Sequence, residues 1–183
     1  MNLAQTKIAG AWIVETRAFQ DNRGAFSRLF CARELESILG PKQVIQMNHS
    51  MTRSVGAVRG LHYQNAPHAE IKIVRCLKGR VFDVAVDLRQ DSPTFLKWVA
   101  VELTSENHLA LVIPEGCAHG FQVLEEASEL LYLHTAFYKP NAEGAVRFDD
   151  PAIGVNWPLE PTNLSERDLS HPYLKENFKG IVL

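Results

Sequence analysis

The stretch from Arg59 to Arg89, RGLHYQNAPHAEIKIVRCLKGRVFDVAVDLR, constrains this chain more than any other part of it. Two runs rich in Val and Ile flank Lys78-Gly79, a turn signal, and read as consecutive strands. Side chains alternate across a strand with period two, which sets Lys72, Val74 and Cys76 on one face and Ile71, Ile73 and Leu77 on the other. In the second run Phe82, Val84, Val86 and Leu88 share one side, with Asp83, Asp87 and Arg89 opposite, the pattern of a half-buried antiparallel strand. Just upstream lie Arg59, His62, Gln64, His68 and Glu70, a dense polar cluster running into a sheet wall. Such a cluster suggests a pocket, and the reading is a β-barrel with His62 and Lys72 in its interior. The plainer alternative leaves Lys72 and Asp87 as solvated positions on outer strand faces.

The remaining segments extend this pattern. Short strands are expected within residues 7–19, at Phe26–Phe30, Val44–Met47, Trp98–Leu103, Leu109–Ile113, Ala118–Leu124 and Ser128–Tyr138, separated by turns such as Asp21-Asn22-Arg23-Gly24 and Ser105-Glu106-Asn107. Asn48–Gly56 reads as a polar loop. One short helix is expected over Cys31–Leu39, stopped by Gly40-Pro41, and a C-terminal helical turn from Ser165. Many short strands with regular turns indicate a mainly β sandwich or jelly-roll barrel in a single domain, residues 1–183, with no internal repeat.

Charge and cysteine usage narrow the class. A net charge of −2 with scattered basic residues gives no nucleic-acid footprint. Cys31, Cys76 and Cys117 are odd in number and widely spaced, so neither a disulfide framework nor a zinc ribbon is indicated, which fits a reducing compartment. The N-terminus lacks the pattern of a signal peptide and no apolar run reaches membrane-spanning length. A cytoplasmic protein with no membrane partner is expected.

Pro114-Glu115-Gly116-Cys117-Ala118-His119 matches PxGxxH, the second motif of cupin barrels, in which a tight turn presents a histidine to the interior. The first cupin motif supplies HxH and a Glu for a metal, but this chain reads His62-Tyr63-Gln64. His62, Glu70 and His119 with Lys72 beside them make a poor cage for a divalent ion, since a nearby ammonium opposes it. No metal and no cofactor are expected. A base (His62), two phenols (Tyr132 and Tyr138) and a fixed cation (Lys72) facing one barrel are instead the parts needed to remove a proton α to a carbonyl, hold the enolate, and return a proton to the other face.

RGLHYQ, KIVRCLKGRVFDVAVDLRQDSPTF, IPEGCAHGFQVL, ELLY and DPAIGVNWP with LSERD resemble, in order and along nearly the whole chain, the dTDP-4-dehydrorhamnose 3,5-epimerase family of the cupin superfamily. The resemblance implies a metal-free jelly-roll homodimer that epimerises a nucleotide-linked 4-keto-6-deoxyhexose, in rhamnose and lipopolysaccharide-type cell-surface polysaccharide biosynthesis. It implies His62 as general base, Asp168 as its orienting carboxylate, Lys72 near the C4 oxygen and Tyr132 as acid on the opposite sugar face, with Tyr138 lining the pocket. Arg23 and Arg59 are implied pyrophosphate or nucleotide contacts, and Gln46, Asn48, His119 and Glu143 further ligand contacts. Three positions depart from the family pattern: Arg28 stands for a usual Glu, and Leu133 and Arg167 for usual Lys residues. Arg28 leaves the nucleotide open among dTDP, CDP and GDP. The residues also leave open 3,5- against 3-only epimerisation, a 3,4-ketoisomerase, and a non-catalytic sugar-nucleotide-binding cupin.

Overall fold

The computed structural model describes all 183 residues. Six strands form one antiparallel sheet in the order β1 (Asn2–Gln5), β2 (Trp12–Glu15), β10 (Leu109–Ile113), β7 (Lys72–Lys78), β12 (Ser128–His134) and β5 (Gln46–Thr52). Five form the second, in the order β13 (Glu143–Ala145), β6 (Val58–Gln64), β11 (Cys117–Val123), β8 (Arg80–Asp87) and β9 (Trp98–Thr104). The remaining two, β3 (Ala18–Asp21) and β4 (Gly24–Ser27), make a separate hairpin whose tip is the expected turn at Asn22-Arg23. The two large sheets face each other as the expected jelly roll. No helix is long and apolar enough to cross a membrane.

Between the sheets lies the largest apolar cluster, with Val74 and Cys76 from β7, Val81 and Ala85 from β8, Leu111 and Ile113 from β10, Phe121 and Val123 from β11, and Leu130 from β12. The face of β7 that carries Lys72 therefore looks inward, and Lys72, with a side chain 12% exposed, is not on a solvated outer face.

The half-buried reading of β8 is corrected, because both of its faces are covered. Val84, Val86 and Leu88 pack outward under Val146, Ile153 and Ile181, which the C-terminal segment lays across the five-stranded sheet. The opposite face, with Asp83 and Asp87, then has no route to solvent, and both carboxylates are fully buried. Asp87 is satisfied there by Arg89, Ser92 and Thr94. The six-stranded sheet is covered likewise: Ile71, Ile73, Val112 and Leu133 pack on Leu35 and Leu39. Each such fully buried Leu or Ile contributes about 1.5–3 kcal/mol, enough to fix these segments against the sheets.

Several elements differ from expectation: β4 ends at Ser27 rather than Phe30, and β1 and β13 lie outside the expected strands. The helix shrinks to α1, Glu36–Leu39, since Leu35 at its start offers no capping oxygen. Asn48–Thr52 is strand rather than loop, because β5 turns Asn48 and Ser50 toward polar partners on β12 while Met47 and Met51 are exposed on the other side. The inward face of this strand is the polar one and the exposed face carries the two methionines, the reverse of the alternation that marks a half-buried strand. Finally, β12 ends at His134, which puts Phe137 and Tyr138 in the following loop.

Candidate active site

The site sits where β6 and β11 approach unusually closely. Gly60 adopts φ +123°, and a Cβ there would lie 2.6 Å from the Gly120 Cα and 2.7 Å from the His119 carbonyl oxygen. A side chain at either glycine would force the strands apart. Because none is present, His62 and His119 are register partners on neighbouring strands. Gly116, at φ +74° in the PxGxxH turn, starts β11 and so sets the phase that carries His119 inward.

His62 from β6, Lys72 from β7, His119 from β11 and Tyr132 from β12 line one cavity of about 300 Å³, with Arg59, Asn48, Tyr138 and Glu143 nearer its mouth. His62 thus comes from one sheet, and Lys72 and Tyr132 from the other. Asp168 lies behind His62 on α2 (Glu166–Ser170), its Oδ1 2.7 Å from His62 Nε2. Ser165 caps α2 by accepting a hydrogen bond from the Asp168 backbone N–H at 3.0 Å, which locks the turn that carries this carboxylate. Burial pushes the Asp168 carboxyl up, but the hydrogen bond and charge of His62 outweigh it and hold the group below its ordinary value.

With Asp168 ionised, His62 donates through Nε2, and Nδ1 is the ring nitrogen left with a lone pair. Arg167 Nη2 also comes within 3.2 Å of Nε2. A guanidinium only donates, so with Nε2–H given to Asp168 this contact is an apposition of charge rather than a second bond. Arg167 further joins Glu143 Oε2 at 3.2 Å, and Glu143 accepts from Tyr138 Oη at 3.1 Å, a polar chain across the mouth.

Lys72 Nζ is held by Glu70 Oε1 at 3.2 Å and by the His62 carbonyl oxygen at 3.4 Å. Burial raises the Glu70 carboxyl, but His134, 2.8 Å away, and Lys72 more than offset this and keep it below its usual range. His119 Nε2 meets Asp83 Oδ1 at 2.7 Å, while Asp83 Oδ2 has no partner and burial pushes that carboxyl up. The Tyr132 ring lies edge-on to His119 and stacked on His134, with centroids 6.0 and 6.1 Å apart, and its hydroxyl meets Ser50 Oγ at 3.1 Å. Burial drives the Tyr132 phenol well above its usual value, so it stays protonated at any physiological pH.

Two expected ligand contacts lie outside the cavity lining. Gln46 braces the mouth, donating to Asn48 Oδ1 at 3.3 Å and accepting from the Tyr138 backbone N–H at 3.1 Å. Arg23 stands at the tip of the β3–β4 hairpin, 85% exposed and paired with Asp21, because that hairpin belongs to neither large sheet. Arg28 also lies elsewhere, paired with Glu34, so its reversed charge is neutralised outside the cavity. The three metal ligands weighed from the sequence do not form a set, since Glu70 is engaged by His134 and Lys72, and His119 by Asp83. His62, Asp168 and His171 bring donor atoms within 4.8 Å of one another, but Arg167 stands over two of them and would oppose a cation.

Sequence reasoning missed Asp83, Ser50, the Glu70–His134 couple and the position of Arg167 beside the base. For Asp83 a signal existed: Val81 and Ala85 share its face, so β8 is apolar on both sides, the mark of a strand covered twice.

The family model for dTDP-4-dehydrorhamnose 3,5-epimerase matches residues 5–176. The dTDP-4-dehydrorhamnose 3,5-epimerase of Shigella flexneri is 44% identical over 171 residues, which is 93% of this chain and 94% of that one. The crystal structure of the Elizabethkingia anophelis enzyme of the same name superposes with a TM-score of 0.90 at 38% identity, covering 97% of this chain and 98% of that one. That of the dTDP-6-deoxy-D-glucose-3,5-epimerase of Legionella pneumophila, in complex with dTDP-4-keto-L-rhamnose, gives 0.87 at 40% identity, covering 92% and 89%. With a family match over residues 5–176 and relatives this similar in both sequence and backbone, the chain belongs to the dTDP-4-dehydrorhamnose 3,5-epimerase family.

Proposed function

We propose that this protein inverts carbon centres α to the C4 carbonyl of a dTDP-linked 4-keto-6-deoxyhexose, at C3 and C5, as one epimerase domain over residues 1–183. The observation that carries the reading is the placement of a carboxylate-backed histidine and a half-buried phenol on opposing sheets of one cavity, with an ammonium beside them. His62 Nδ1 takes the proton from the substrate carbon, and the C–H electron pair moves into an enolate with its charge on the C4 oxygen. Lys72 stabilises that oxyanion, and Asp168 stabilises the imidazolium. Tyr132 then delivers its proton to the opposite face. His119, Asn48, Gln46, Tyr138 and Glu143 position the sugar and nucleotide. Arg59, whose guanidinium has no hydrogen bond or ion pair within the protein, meets the pyrophosphate.

A homodimer is part of this reading. β2 cannot pair with a neighbour, because β1 and β10 occupy both of its edges. The β3–β4 hairpin is the better contact: Phe19 and Phe26 are cross-strand partners, 67% and 73% exposed, on a ribbon too small to be stable alone. Seated on a second copy, it would bring Arg23 to that copy's site. The reading places the enzyme in the cytoplasm, in rhamnose and lipopolysaccharide-type polysaccharide biosynthesis.

The test follows proton exchange and stereochemistry together by NMR of dTDP-4-keto-6-deoxyglucose in D2O. Wild type should exchange H3 and H5 and form inverted product. Tyr132→Phe keeps the ring but not the hydroxyl, so it should still wash deuterium in through His62 while inverting much more slowly. Equal slowing of both, or untouched inversion, removes Tyr132 as the opposed-face acid. Exchange confined to H3 would make the protein a 3-epimerase.

A further inference from the structure

Each inversion by a two-sided mechanism leaves the site out of its resting state: His62 holds an extra proton and Tyr132 has lost one. Before the next turnover a proton must leave one wall and another must reach the other. His62 lines the open cavity and can release its proton to water. Tyr132 recovers one less simply while the sugar fills the cavity, because its half-buried hydroxyl faces the substrate and His119 and His134 flank its ring. Both nitrogens of His134 are committed, Nδ1 to Glu70 and Nε2 to Asn48. The Tyr132 hydroxyl has one hydrogen-bond partner in the protein, Ser50 Oγ at 3.1 Å.

We propose that Ser50 is the proton-relay residue that recharges Tyr132, an inference that rests on the reading of Tyr132 as the acid. Ser50 lies on β5, the terminal strand of the six-stranded sheet, paired with Leu130 of β12. It is partly buried, as Tyr132 is, and lines the same cavity, so it joins the phenol to a wall that solvent reaches. A serine hydroxyl carries one donor and two acceptor lone pairs. In the resting site Ser50 accepts from Tyr132. Once the Tyr132 O–H bond has broken and its proton has formed the new C–H bond, Ser50 rotates and donates to the phenolate oxygen. Its Oγ meanwhile takes a proton from water, and the resulting hydroxide is neutralised by the proton that His62 releases. Protons balance over the cycle, and no redox partner is required.

The role predicts a kinetic signature distinct from that of a residue that only shapes the pocket. Ser50→Ala leaves the phenol protonated at rest, so the first inversion proceeds with no more than about a 2- to 10-fold loss, the worth of one hydrogen bond. Later inversions wait for recharging and slow by about 10²-fold, within the usual range for a lost proton-transfer group. Quenched-flow with the NMR substrate above, comparing enzyme in excess with catalytic enzyme, should therefore show a burst of one inverted centre per site in Ser50→Ala. Ser50→Thr, which keeps the hydroxyl on a strand that suits a β-branched residue, should show no burst and near wild-type turnover. Equal slowing of first and later turnovers, or unchanged steady-state turnover in Ser50→Ala, overturns the relay. Loss of turnover in Ser50→Thr with no burst in Ser50→Ala does the same. Wild type that neither exchanges nor inverts overturns the function itself, and fast inversion by Tyr132→Phe overturns the acid assignment; each is distinguishable from a relay failure.

Discussion

Replacing Asp168 by Asn changes one charge at a site where the structure lets the cost be worked out. The carboxylate lies 2.7 Å from His62 Nε2 and its side chain is only 5% exposed. When His62 takes the substrate proton, an imidazolium forms beside it. Opposite unit charges about 4 Å apart at an effective dielectric of about 20 attract by about 4 kcal/mol, roughly 10³-fold in rate. Arg167, whose Nε is 3.8 Å from the same oxygen, screens part of that attraction. The expected fall in kcat is therefore about 10²–10³-fold, with KM little changed, because Asp168 lies behind the base and lines no part of the cavity. An amide that turns its NH2 toward Nε2 would shift the ring proton to Nδ1, occupy the base's lone pair, and bring the loss toward about 10⁴-fold. Stability supplies an independent check. A carboxyl held below its ordinary value contributes stability that is present above the unfolded value, about pH 4, and is lost as pH falls through the folded value. The melting-temperature gap between wild type and Asp168→Asn should thus be present at neutral pH and close once pH falls below the carboxyl's folded value. The assay pairs NMR turnover with thermal melts across that range. A variant that keeps wild-type kcat, or a gap that survives protonation of the carboxyl in strong acid, refutes the dyad.

Other outcomes follow from the same geometry. His62→Ala should lose about 10²–10⁴-fold in turnover with the fold retained, and a folded variant by circular dichroism that turns over normally removes His62 from the chemistry. Gly60→Ala should lower the melting temperature and activity together, since its Cβ meets Gly120 and the His119 carbonyl at under 3 Å in a backbone conformation costing about 1–3 kcal/mol for other residues. Light scattering at micromolar concentration should give twice the chain mass, and Phe19→Ser with Phe26→Ser should shift it to the single-chain value; a wild-type monomer counts against the hairpin contact.

The jelly roll was legible in the sequence because strand period and turn chemistry are local properties. Lys78-Gly79 and the PxGxxH turn could be placed without knowing their neighbours, and the alternation in β7 put Lys72 on the interior face. The family resemblance added roles for residues such as Asp168, which no local pattern connects to His62 across 106 positions. What the sequence could not decide was which faces would be covered. Asp83 looks solvated until the C-terminal segment closes the other side of β8 and leaves its carboxylate fully buried against His119. Arg23 does not line this chain's own cavity, because the hairpin that carries it stands apart from both sheets, and in the proposed dimer its contact falls to a second copy's site. Ser50 and Arg167 gain their meaning only from partners 82 and 105 positions away, Tyr132 on the neighbouring strand β12 and His62 on β6. Burial and partnership depend on which distant segments pack together, so only the tertiary structure decided them.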